Sequence, residues 1–221
     1  MKGAALERIG ARFPLQSRDA GEYRSFKASP LTVQLDWYEA AGLGNVSWLQ
    51  GKAMGGLMRM DTLVVNATER DLPLFSYDFI SAMGNQTILV EYYDTLLAPA
   101  SFDASPLAAV KERISALPDH DLGAHWYDSM KLPASLAKKT KKKALPELQQ
   151  AFLSALDAYL AMAEQLPALS EAEAKVKREK GAAYVNGLLE NGGPSTDAFK
   201  KSIGTARTRD VFTRIVFGTE A

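Results

Sequence analysis

No cysteine occurs anywhere in the 221 residues of this chain. That absence removes disulfides, thiolate zinc sites, iron–sulfur ligation and thiol nucleophiles together. Histidine is scarce, with only His120 and His125, a thin supply for a zinc or haem-iron site. Net charge is missing as well, since 26 Lys and Arg balance 26 Asp and Glu. Nothing in the overall charge therefore draws the chain to nucleic acid or to an anionic membrane. No apolar run approaches the ~20 residues of a membrane span, and the charged start MKGAALERIGARFPL lacks the apolar core of a secretory signal. A soluble, cytoplasmic protein with neither a nucleic-acid nor a membrane partner is expected. Phosphate-binding loops are also lacking. Gly55-Gly56 and the Asn-Gly-Gly at 191–193 have neither the spacing nor the strand-to-helix setting of a dinucleotide or Walker site. There is no Gly-x-Ser-x-Gly elbow and no helix of paired histidines.

What is present has two periods. The 47% hydrophobic content and the length suit one sizeable core, and a single domain over residues 1–221 is the expectation. From about residue 29 to 97 the stretches LTVQLDWYEA, NVSWLQGKAM, GLMRMDTLVV and QTILVEYYDTL have strand length and β-branched or aromatic content, joined by AGLGN, AMGG and MGNQ. Connectors this short cannot carry a parallel crossover, so an antiparallel meander is expected. From about 105 to 217 the period is helical. SPLAAVKERISALPD opens on Ser-Pro, and LPELQQAFLSALDAYLAMAEQL carries one apolar stripe. SEAEAKVKREKGAAYVNGLLEN starts with a capping box at Ser170 and Glu173, and PSTDAFKKSIGTARTRDVFTRIVFG reads as a closing helix. Strands followed by helices imply an α+β fold, an antiparallel sheet covered by helices. Between them PDHDLGAHWYDSMKLP at 118–133 has no period yet holds both histidines, and KKTKKK at 138–143 is the one dense charge run.

One acid stands out. RDLPLFSYDFI at 70–80 sets Asp78 beside a Leu-Pro-Leu-Phe run and before two more apolar residues. It reads either as a turn acid capping the backbone or pairing with Arg70, or as a carboxyl raised in pKa by apolar neighbours and able to hold or deliver a proton.

The stretch LVVNATERDLPLFSYDFISAMGNQTILVEYYDTL resembles the central strand pair of the ferredoxin-dependent bilin reductases, which include the red chlorophyll catabolite reductase-like proteins. There a Leu-Pro-(Leu/Ile)-Phe-x-x-Asp run precedes a second strand that ends near an aspartate. KAMGGLMRMDTLVV is similar to the preceding family strand, and GAAYVNGLLEN and TRDVFTRIVFG follow in the family's order. The likeness runs from about Trp48 to Phe217. It implies a three-layer α/β/α sandwich with a central, mostly antiparallel sheet, and a linear tetrapyrrole such as biliverdin bound between sheet and helices. External reduced ferredoxin would supply electrons one at a time, with no tightly bound cofactor and no metal.

Site roles follow from the same resemblance. Asp78 matches the proton-donating aspartate. Asp61 falls where many members carry histidine, so two carboxylates sharing a proton are expected. The second-strand aspartate falls on Tyr92, with Asp94 two residues on. Tyr77, Met60, His125 and Trp126 are further expected ligand contacts. Arg207 and Arg209, with Lys200 and Lys201, either clamp the ligand's propionates or form a solvated helix face. Lys138, Lys139, Lys141, Lys142 and Lys143 either dock an acidic ferredoxin or form a solvated loop. The rival functional reading is a non-catalytic tetrapyrrole carrier, and a third is an interaction domain that shares only the fold.

Overall fold

The computed structural model describes residues 1–141 and 144–220. Helix α1 (Lys2–Arg12) leads into β1 (Leu15–Arg18), β2 (Ser25–Ala28), β3 (Leu31–Ala40), β4 (Gly44–Ala53), β5 (Met58–Asn66), β6 (Leu74–Ala82) and β7 (Asn85–Tyr93). Helix α2 (Ser105–Arg113) and β8 (Leu136–Lys141) precede α3 (Leu145–Gln165), α4 (Glu171–Asn191), α5 (Pro194–Ile203) and α6 (Thr205–Asp210), and α6 runs on into a π-helical turn, Val211–Val216. The sheet has the order β1-β3-β4-β5-β6-β7-β8 with every described pair antiparallel, while β2 shares the outer edge of β3 with β1.

The expected meander is present as β3 to β7, and the connectors β3–β4, β4–β5 and β6–β7 each hold a glycine of positive φ that turns the chain sharply. Gly44 is the demanding case. Its φ is +139°, and a Cβ there would collide with the Asn66 carbonyl, so only glycine lets β4 leave the turn beside β5.

Each face of the sheet carries its own core, which is why the central strands read as apolar runs and not as clean alternation. On one face Trp48, Leu63, Phe75, Tyr77, Val90 and Tyr92 meet α1, α2 and the stripe of α3. Tyr77 stacks on Phe152 with ring centroids 3.6 Å apart, worth ~1 kcal/mol beyond the area buried. On the other face Val33, Leu35, Leu49, Val64 and Tyr93 meet α4, α5 and the chain end at Phe217. The result is the expected α/β/α sandwich.

Several elements lay outside the sequence pattern. Helix α1 and the short strands β1 and β2 precede the meander. KKTKKK is not a free loop: its described part belongs to β8, which pairs with β7. The first expected helix stops at Arg113, short of Pro118. The closing helix is broken at Gly204 (φ +83°) into α5 and α6. The capping box of α4 is formed as expected, with Ser170 and Glu173 each accepting from the other's backbone N–H.

Candidate functional site

The face of the sheet turned toward α4 and α5 is not filled. Between them lies a cavity of about 420 Å³, within the size range of small-molecule sites. Its floor is the alternate residues of three strands: Met60, Thr62 and Val64 from β5, Ser76 and Asp78 from β6, Leu89 and Glu91 from β7. Its roof is Tyr184 and Leu188 of α4, Phe199 of α5, and Phe212, Val216 and Phe217 of the chain end. Leu122, His125 and Tyr127, from the aperiodic stretch before β8, close one side.

Asp78 lies in the middle of β6, directly opposite Thr62 on β5 and Leu89 on β7. A turn acid paired with Arg70 is therefore not what the chain builds. Removal from water pushes the Asp78 carboxyl up from 3.8 to about 6. The Thr62 hydroxyl donates to it and works against that rise by favouring the ionised form, while the nearby negative charge of Glu91 adds to it. A carboxyl poised this close to neutrality can both give and take a proton.

Glu91 is the acid that the sequence pattern did not single out. Its Oε1 pairs with Lys131 Nζ at 2.7 Å, and its Oε2 accepts from the Tyr93 hydroxyl at 2.7 Å. Lys131 reaches Asp128 at 3.1 Å and lies 4.9 Å from the centre of the Tyr127 ring. Burial alone would lower the lysine, but Glu91 and Asp128 outweigh it and raise it. His125 stacks on Tyr127 with centroids 5.0 Å apart, and its buried Nδ1 has no hydrogen-bond partner. The signal for Glu91 was its place two residues before Tyr93 in an alternating strand, but its counter-ion comes from 40 residues later and leaves no trace in local pattern.

The structure brings some of the expected site residues together and separates others. Asp78, Met60 and His125 line the cavity. Asp61 does not, because it is one residue from Thr62 and a strand's successive side chains point to opposite faces. It is 1% exposed on the far face, where it accepts from Gln50 Nε2 at 2.6 Å and Arg59 Nε at 2.8 Å. The expected pair of carboxylates sharing a proton is thus not formed by Asp61 and Asp78. Parity also sends Tyr77 and Tyr92 to the far core, against Phe152 and Phe75. Asp94 lies past the end of β7 and accepts from the Leu96 N–H at 3.1 Å.

Trp126 packs behind the cavity wall and donates to the Gly192 carbonyl at 3.0 Å. Arg207 is paired with Glu22 at 2.6 Å and Arg209 with Asn186 at 2.8 Å, both on the exposed outer surface and away from the cavity. These arginines form a solvated face. Lys138 is buried and tied to the Leu117 carbonyl and Asp119, each at 2.8 Å, which leaves it unfit for docking. Lys139 and Lys141 are exposed on β8, and Lys142 and Lys143 lie outside the described residues. Among the described residues no group of three or more His, Asp or Glu is disposed to hold a metal, and no helix is long and apolar enough to cross a membrane.

No protein-family model matches the chain, and no curated protein sequence does either. Among solved structures, phytochromobilin synthase from tomato, determined in complex with biliverdin, shares the fold. The TM-score is 0.77 over 99% of this chain and 82% of that one, at 16% sequence identity. At that identity the likeness is one of fold.

Proposed function

We propose that the cavity binds a linear tetrapyrrole and that the protein reduces it, with Asp78 as the proton donor and reduced ferredoxin as the external electron source. The observation that carries this reading is Asp78 itself: a carboxyl on the floor of an apolar cavity, held near neutrality and aimed at the space a flat pigment would fill. The sandwich shared with a biliverdin-bound synthase, and the Leu-Pro-Leu-Phe-Ser-Tyr-Asp run at 72–78, support it.

The chemistry asked of the chain is modest. Saturating one double bond consumes two electrons and two protons. An added electron is easier to accept once the pigment carries a proton, because the charge then formed is neutralised. Asp78 gives its O–H proton to a pyrrole nitrogen or a lactam oxygen, the Thr62 hydroxyl holds the carboxylate that remains, and the second proton follows from the same carboxyl once water has recharged it. With pigment filling the space under Tyr184, Phe199 and Phe217, bulk water is kept from quenching the radical formed between electrons.

Mixing the purified protein with biliverdin should shift the pigment's visible absorbance, and anaerobic addition of reduced ferredoxin should bleach or move that band. No shift on mixing ends the pigment reading. Asp78→Asn should keep the first shift and lose the second. A variant that reduces pigment at the parental rate removes Asp78 as donor. A second reading, a tetrapyrrole carrier without turnover, is favoured by one feature. The residue directly across from Asp78 is Thr62, which cannot itself exchange protons near neutral pH. A shift on mixing with no further change on reduction would select it.

A further inference from the structure

The cavity holds two carboxylates in opposite electrical settings. Asp78 has only an uncharged hydroxyl, Thr62, as its side-chain partner. Glu91 sits on the next strand, opposite Ser76, and so lies diagonally from Asp78 on the same face, within reach across ~7–8 Å of backbone. Unlike Asp78 it is pinned. Lys131 takes one oxygen and the Tyr93 hydroxyl the other, and Asp128 and the Tyr127 ring fix Lys131 in turn. The Glu91 side chain is 11% exposed, and what it still faces is the cavity. Each carboxylate oxygen keeps a lone pair for another donor. Among the described residues that line the cavity there is no lysine or arginine. Lys131 stands behind Glu91, so the pair is neutral overall but points its negative end inward.

We propose that Glu91 is the fixed counter-ion of this cavity: held by Lys131 and Tyr93, it accepts a hydrogen bond from a ring N–H of the ligand and makes the site select the protonated, cationic form of an N–H-bearing conjugated ligand. This rests on the tetrapyrrole reading and names the charge state that reading requires. The groups facing Glu91 are Tyr93 on its own strand, Asp78 on β6, Tyr184 on α4, and Asp128, Tyr127 and Lys131 from the stretch before β8. Lys131 is the one cation among these, and its charge is met by both Glu91 and Asp128. A cation in the cavity therefore meets net attraction, and an anionic group is turned away toward solvent. The two acids divide the work accordingly. Asp78 exchanges its proton, whereas Glu91, held by Lys131 and Tyr93, keeps the protonated ligand in place.

The test is a pH titration of the visible spectrum of bound biliverdin, across about pH 5–9, for the parental protein, Glu91→Gln, Glu91→Asp and Lys131→Met. The bound pigment should stay protonated to higher pH in the parental protein than in Glu91→Gln, whose midpoint should fall by at least about one pH unit, a tenfold change in the proton equilibrium. Glu91→Asp, which keeps the charge, should hold the parental midpoint. Glu91→Gln binding pigment with an unmoved midpoint overturns the proposal. If Glu91→Gln does not fold, Lys131→Met decides. Stripping the positive charge from behind Glu91 should raise the midpoint, and an unchanged midpoint counts against the role. Should the parental protein not bind biliverdin at all, the tetrapyrrole reading falls and this inference with it. Binding without the Glu91 effect removes the inference alone.

Discussion

Thr62 and Asp78 stand directly opposite each other on β5 and β6, and the threonine hydroxyl donates to the carboxylate. The hydroxyl stabilises the ionised form of an acid that burial otherwise favours as neutral, so it limits how far the carboxyl is raised.

Replacing Thr62 by valine removes that donor with little change of shape. The Asp78 carboxyl should then titrate above its present value of about 6, by about one unit, since a hydrogen bond to a charged group is worth ~1.5–3 kcal/mol. Side-chain carbon NMR of Asp78 across the pH range reads this directly. A carboxyl that titrates lower in the variant contradicts the assigned role.

Asp78 also makes stability depend on pH. Its folded value lies above its unfolded one, so between pH 3.8 and about 6 the folded state binds more protons. Stability therefore falls as pH rises through that window and stays lower above it. The rise corresponds to ~3 kcal/mol at ~1.4 kcal/mol per unit, and solvent reaching the half-buried carboxyl through the cavity trims it to roughly 2 kcal/mol. Asp78→Asn should thus be more stable than the parent at neutral pH and not at pH 4. Urea unfolding at both pH values measures it.

Lys177 is fully buried on α4, where its ammonium donates to the carbonyls of Leu72 and Thr95 and reaches Asp71 at 3.4 Å. Burial lowers it to about 8, although Asp71 pulls the other way. It ties the turn before β6 and the chain after β7 to the helix that roofs the cavity. Lys177→Ala leaves those carbonyls buried and unpaired and should cost roughly 2–4 kcal/mol. Thermal unfolding should show a midpoint several degrees lower.

Gly187 on α4 lies against the outer edge of the Trp126 ring, and a Cβ there would overlap the indole. Gly187→Ala should drive Trp126 out of its seat, break its bond to the Gly192 carbonyl and loosen the segment that carries His125 and Tyr127. A red shift and quenching of tryptophan emission, with weaker biliverdin binding, are the expected signs. An unchanged spectrum would show that the ring is accommodated elsewhere.

Much of this arrangement is written locally. The runs β3 to β7, the apolar stripe of α3 and the Ser170 capping box follow from side-chain period and turn chemistry that neighbouring residues set by themselves. Asp78 in apolar company was likewise visible at 70–80, as was the family likeness around it. Face and partner were not. A strand changes sides every residue, so placing Asp61 or Thr62 beside Asp78 depends on register across two turns, and one residue decides between core and cavity. Glu91 became a pinned anion only because an aperiodic stretch folds back to bring Lys131 to it. Arg207 and Arg209 stand on the solvated face and Lys138 is drawn inward through ion pairs or hydrogen bonds with Glu22, Asn186 and Asp119, all distant in sequence. Local order comes from the backbone's own preferences, which residue type and spacing reveal. The charge state and aim of each site group come from long-range packing, which only the folded chain supplies.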